Sequence, residues 1–142
     1  MRGSYILLIK LREAQTISVG RLKTVSFPRG YYAYVGSAMG GIIGRLNRHF
    51  GTNKKTHWHI DYLLEKASVD EVIICETEDR AECAIAQALG AQFDNIPGFG
   101  SSDCKCQSHL FFNCKEMKLK IMAMLDSINL RHILLGVDQI ET

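Results

Sequence analysis

Tyr31-Tyr-Ala-Tyr-Val-Gly-Ser-Ala-Met-Gly-Gly-Ile-Ile-Gly-Arg-Leu-Asn-Arg-His49 changes its periodicity halfway along. Residues Tyr31–Val35 are aromatic and β-branched, which suits a pleated strand. Gly36–Gly41 carries three glycines and reads as a loop. From Ile42 the spacing turns helical: Ile42, Ile43, Leu46 and Phe50 share one arc, and Arg45, Arg48 and His49 lie on the adjoining arc. Gly51 closes the helix. Arg45 and His49 stand at i and i+4, so their side chains enter the same space, and Tyr34 at the strand end adds a phenol. Phenol, imidazole and guanidinium around a glycine-lined opening suit phosphodiester cleavage. The guanidinium offsets charge growing on the phosphate, and the other two groups handle protons.

Working outward, Tyr5–Leu11 is apolar and β-prone and reads as a strand, while Thr16–Val19 and Leu22–Phe27 flank Gly20-Arg21 as a hairpin. Pro28-Arg29-Gly30 is a turn. Beyond the central helix, Thr52–Thr56 forms a basic loop and His57–Ala67 a helix with Ile60, Leu63, Leu64 and Ala67 inward. Val69–Cys75 is a strand. Thr77 or Asp79 caps a helix running to about Ala91, with Ala81, Ile85, Ala88 and Leu89 inward. Ile96–Ser108 is a glycine- and serine-rich loop, His109–Asn113 a short strand, and Lys115–Ile128 a helix whose Met117, Ile121, Met124 and Leu125 stripe reads as core. The tail after Leu130 is ambiguous. These elements predict a mixed α/β (α+β) domain over residues 1–142, with a small antiparallel central sheet flanked by helices.

The 142 residues fit one domain of ordinary size. No stretch approaches the ~20 apolar residues of a membrane span, and the start lacks the features of a secretory signal. Five cysteines is an odd count, read as reduced thiols in a cytoplasmic protein. Charge is unevenly spread: residues 1–60 hold ten cations and one acid, net +9, and residues 61–142 hold seven cations and fourteen acids, net −7. Such a split suggests a polyanion-facing half, and segregated solvated faces are the plainer alternative.

The ordered set of motifs resembles the GIY-YIG nuclease superfamily. Tyr34-Val35-Gly36 matches its second signature, and Gly3-Ser4-Tyr5, at the start of the first strand, matches its first. The family's helical arginine stands where Arg45 does, and His49 falls at its tyrosine-or-histidine position one turn on. Gly36-Ser-Ala-Met-Gly-Gly, Arg48-His49, His57-Trp-His-Ile-Asp-Tyr and Gly98-Phe-Gly-Ser-Ser-Asp-Cys-Lys-Cys-Gln-Ser-His-Leu extend the likeness along the chain. They are similar to a mainly archaeal and thermophilic branch, found in places beside endonuclease III-like repair proteins. The resemblance implies a metal-dependent endonuclease acting on nucleic acid, DNA foremost, with a possible repair-protein partner. The spacing from Tyr5 to Tyr34 exceeds the family's usual one, and the hairpin at Thr16–Phe27 accounts for it. Repair members carry a lysine where this chain has Ser37, so Arg48 or Lys54 is the expected substitute cation.

By the same resemblance, Tyr5 or Tyr34, with Tyr34 favoured, serves as base. Arg45 steadies the phosphate, His49 assists proton movement, and a carboxylate on a later helix holds one Mg²⁺ or Mn²⁺. Glu82 is that carboxylate, with Glu78 and Glu76 as substitutes. Its plainer reading is a capping box with Asp79. Expected substrate contacts are Gly36, Ser37, Arg48, Lys54, Lys55, His57 and His59. His57 and Asp61 are also one turn apart, an arrangement that orients an imidazole, and Trp58 reads as core. Asp103 is a further candidate for the site. Cys104, Cys106 and His109 have zinc-like content, but a structural zinc wants four ligands, usually with two residues between paired cysteines. The fourth would have to be Cys114 or a distant histidine, so buried thiols are the preferred reading. The rival functions are a non-catalytic nucleic-acid-binding module and a zinc-stabilised interaction domain.

Overall fold

The computed structural model describes residues 3–38, 41–51, 58–77, 81–101 and 104–139. Six strands build one sheet in the order β6-β7-β4-β1-β5-β8, every neighbouring pair antiparallel. These are β1 (Gly3–Leu11), β4 (Gly30–Ala38), β5 (Ser68–Glu76), β6 (Asp94–Asn95), β7 (Leu110–Asn113) and β8 (Ile133–Gly136), while β2 (Gln15–Ser18) and β3 (Thr24–Phe27) pair as a separate hairpin. The helices are α1 (Ile42–Phe50), α2 (His59–Leu64), α3 (Glu82–Gly90) and α4 (Lys118–Ser127). The expected α+β architecture is the observed one. No helix among the described residues is long and apolar enough to cross a membrane.

Strand β1 is buried along nearly its whole length, which explains why its sequence is continuously apolar rather than alternating. Alternate side chains enter two cores. Tyr5, Leu7, Ile9 and Leu11 pack with the hairpin, α1 and α2 on one face, and Ile6 and Leu8 pack with α3 and α4 on the other. The Met117, Ile121, Met124 and Leu125 stripe lies in that second core, as its spacing predicts.

The register of β1 on β4 decides where the chemistry sits. Leu7 faces Tyr34 and Tyr5 faces Gly36. Residues of one strand two apart share a face, so Tyr5 and Tyr34 are diagonal neighbours on the same side of the sheet.

Several expectations change. Gly36, Ser37 and Ala38 stay in the sheet instead of forming a loop, because Gly3–Tyr5 pairs with them directly. Ile43 is 41% exposed; the buried arc of α1 is Ile42, Leu46 and His49. Helix α2 is shorter than the spacing suggests. Helix α3 begins at Glu82 with Ala81 at its N-cap, and Asp79, the other half of the alternative capping box, lies outside the described residues. The ambiguous tail supplies β8, which pairs with β5 and protects that edge.

Tyr5, Tyr32 and Tyr34 are all buried, and burial raises each phenol above its ordinary pKa. In the unfolded chain these phenols ionise near pH 10. The fold therefore keeps three protons that the unfolded chain releases. Stability from this source is complete below about pH 10 and falls above it, by roughly 4 kcal/mol per pH unit for three groups. In an alkaline titration, tyrosinate absorbance from these residues should rise together with loss of far-UV dichroism. Full ionisation of all five tyrosines before unfolding would contradict their burial.

Candidate active site

Gly36 has no side chain where Tyr5 needs room. A Cβ built there would lie 2.4 Å from the Tyr5 ring and 2.5 Å from its oxygen. The phenol thus lies across the glycine, and even alanine would displace it. Gly100, at φ +69°, performs the same service for Tyr34, whose ring would be 3.1 Å from an added Cβ. Gly36 and Gly100 thus leave room for the two rings, whereas a Cβ at Gly3 would meet the backbone of β5.

Helix α1 brings His49 over these rings. The Tyr5 hydroxyl is 2.6 Å from His49 Nε2, and the rings of Tyr5 and Tyr34 both meet the imidazole edge-on. The Arg45 guanidinium acts on the Tyr5 phenol, lowering its pKa against the effect of burial. A guanidinium can donate and never accept, so toward Arg45 the phenol oxygen is an acceptor, while between Tyr5 and His49 the imidazole tautomer sets which group donates.

Burial is the largest influence raising the Tyr5 pKa, and Arg45 opposes it by charge. Tyr34 is likewise raised, by burial first, then by Tyr5 and by the negative charge of Glu82. Glu82 acts on Tyr5 in the same direction. Its carboxylate is thus within electrostatic reach of both phenols, and its side chain is 28% exposed. Tyr5, Tyr34, Arg45, His49 and Glu82 are brought into one region.

The expected substrate contacts fare differently. Arg48 forms a two-pronged pair with Asp61, both distances 3.0 Å, and Asp61 is fully buried. Asp61 also accepts the Trp58 backbone N–H at 2.9 Å; His57, its expected partner, lies outside the described residues. Trp58 is half-buried, and two guanidinium groups lie over its ring, Arg45 at 4.4 Å and Arg48 at 4.0 Å from the centroid. His59 Nδ1 accepts the Gly100 N–H at 2.8 Å, fastening the loop after β6 to α2, and burial lowers the His59 pKa. Ser37 is half-buried, and its Oγ finds no partner among the described residues. Lys54, Lys55, His57, Glu78, Asp79 and Asp103 lie outside the described residues. Glu76, a substitute for Glu82, ends β5 exposed opposite Gly3.

Next to Glu82, the side chains of Cys83, Cys104, Cys106 and His109 converge, with their ligand atoms all within 4.8 Å of one another. Cys114, the fourth ligand suggested by sequence, is exposed and outside this group. Cys83 was invisible to spacing arguments because it stands on a helix twenty-one residues before Cys104. The Arg48–Asp61 pair joins residues thirteen apart, and the approach of Arg45 and Arg48 to Trp58 leaves no sequence pattern beyond the arginines themselves.

Compared with known proteins, residues 4–130 match a family described as a domain of unknown function, DUF123. No curated protein and no solved structure matches the chain.

Proposed function

The chain belongs to the DUF123 family, and from that starting point we propose that it is a metal-dependent endonuclease of the GIY-YIG type, hydrolysing phosphodiester bonds of nucleic acid. The observation that carries this reading is the Tyr5–His49 hydrogen bond, with Arg45 acting on the same phenol and Tyr34 on the same sheet face. The basic first sixty residues support a polyanionic substrate. DNA is the favoured substrate, with a repair context and a repair-protein partner as the resemblance suggests. Five free thiols accord with a reducing cytoplasm.

Raised phenols are poor standing bases, which bears on the roles. Tyr34 touches His49 through its ring, whereas Tyr5 is hydrogen-bonded to His49, so proton transfer falls to Tyr5 rather than the initially favoured Tyr34. In this reading a water oxygen bonds to phosphorus as its proton passes to the Tyr5 oxygen, and the phenol's proton passes to His49 Nε2. The ester bond to the leaving oxygen breaks, and that oxygen takes a proton from solvent. Arg45 holds negative charge on the phosphate and on the phenol oxygen through the transfer. The residue that would hold a divalent cation is Glu82, a partly exposed carboxylate whose charge both phenols sense. Held there, Mg²⁺ or Mn²⁺ would supply Lewis-acid stabilisation of the leaving oxygen.

The test is a cleavage screen over single-stranded, nicked and branched DNA and the matching RNAs, with each cation and with chelator. Metal-dependent product is expected on at least one substrate. Salt-sensitive binding with no product on any of them would instead support a non-catalytic binding module, a reading favoured by the depth at which the phenols are buried.

A further inference from the structure

We propose that Cys83, Cys104, Cys106 and His109 form a tetrahedral zinc site, and that Glu82 ties this site to the cleft by holding its histidine. Three thiol sulfurs and one imidazole nitrogen within 4.8 Å of one another are a Cys₃His donor set, a composition that selects zinc over hard cations. Ideal zinc bond lengths and tetrahedral angles put sulfur and nitrogen ligands about 3.6 Å apart and paired sulfurs about 3.8 Å apart. Cys104 Sγ and His109 Nε2 are 3.4 Å apart, so that edge is already at its bonded length.

The topology explains why four distant residues meet. Cys83 lies in the first turn of α3. His109 precedes β7 and is fixed twice by its backbone, its carbonyl accepting from Val35 and its N–H donating to Phe99. Cys104 and Cys106 lie on the loop between, where the Cys104 N–H donates to the Ser101 carbonyl. A zinc ion would fasten this long loop to the helix and the sheet at once. Fixed loop and helix positions remove the objection that one residue between two cysteines is too short, because the pair does not have to act alone.

His109 Nε2 faces the thiols, and its Nδ1 lies 3.5 Å from Glu82 Oε2. A histidine that binds metal through one nitrogen and turns the other toward a carboxylate is the usual second layer of a zinc site. Here that carboxylate is the one sensed by Tyr5 and Tyr34. Zinc occupancy therefore sets the position of His109, and His109 sets the position of Glu82. The zinc assignment stands apart from the nuclease reading, since it rests on the four ligands alone.

The experiment is metal analysis of the full chain, purified without chelator, followed by cobalt exchange and competition against a chromophoric zinc chelator. Wild type should carry one zinc per chain. Its cobalt form should show the visible bands of tetrahedral cobalt with thiolate charge transfer. Cys83→Ser should lose zinc at chelator concentrations that wild type resists, while Cys114→Ser keeps full occupancy. Glu82→Gln should weaken zinc binding about 10–100-fold. Should Cys83→Ser fail to fold, the cobalt spectrum of wild type still decides the matter. Octahedral cobalt without thiolate bands, or wild type with no zinc after zinc-supplemented growth, overturns the site. Unchanged zinc affinity in Glu82→Gln overturns the link to the cleft.

Discussion

Arg45→Ala is expected to slow phosphodiester cleavage about 10²–10³-fold, the usual cost of removing one preorganised donor from a transition state. Two consequences of the substitution act together. The phosphate loses a cation positioned beside it, and the Tyr5 phenol loses the partner that offsets the effect of burial. Tyr5 then holds its proton more strongly and passes it to His49 less readily. Stability should change little, because Arg45 contributes a stacked contact on Trp58 rather than a buried ion pair. Arg45→Lys keeps the charge without the planar fork, so a partial recovery is expected. Single-turnover rates at saturating metal, with melting curves of each variant, check both halves. Cleavage by Arg45→Ala within a few-fold of wild type would remove the residue from the reaction.

Much of the fold was legible because its signals were local. The switch from β-prone aromatics to helical spacing between Tyr31 and His49 marks β4 and α1, with Gly51 at the helix C-cap. The unbroken apolar run of β1 announces burial on both faces. Local signals mislead where a long-range partner decides. Gly36 belongs in a loop on propensity, yet it is a strand residue because it pairs with Tyr5 of β1, whose ring occupies the space a side chain would take. β8 has an exposed Ile133 and a short span, and it forms because β5 offers an unpaired edge. Likewise, Tyr5 and Tyr34 could be named from their motifs, whereas their sharing one sheet face follows from the β1–β4 register. Cys83 and Asp61 lie in helices where nothing in their own neighbourhood announces a distant partner. Their roles come from tertiary approach to His109 and to Arg48.

Asp61→Ala is expected to destabilise the chain by about 3–5 kcal/mol, the range for removing one partner of a buried ion pair. The carboxylate is fully buried, and it accepts from both ends of the Arg48 fork and from the Trp58 backbone. Arg48 is 29% exposed, so after the substitution it can turn toward water, which draws the cost to the lower part of that range. Loss of the Trp58 N–H contact at the head of α2 adds about 1 kcal/mol, as for other helix caps. Urea unfolding should show an earlier midpoint with an unchanged slope, and Arg48→Ala with Asp61→Ala should cost less than the sum of the two single variants. The same variant tests what Arg48 does for nucleic acid. If the pair is an internal brace, freeing Arg48 adds a cation to the binding face, and DNA affinity at low salt should hold or rise even as stability falls. If Asp61 instead aims Arg48 at a phosphate, affinity should fall with it, and the salt dependence should lose about one ion's worth of slope. A cost under about 1 kcal/mol, as for exposed pairs, would mean the brace contributes little to the fold.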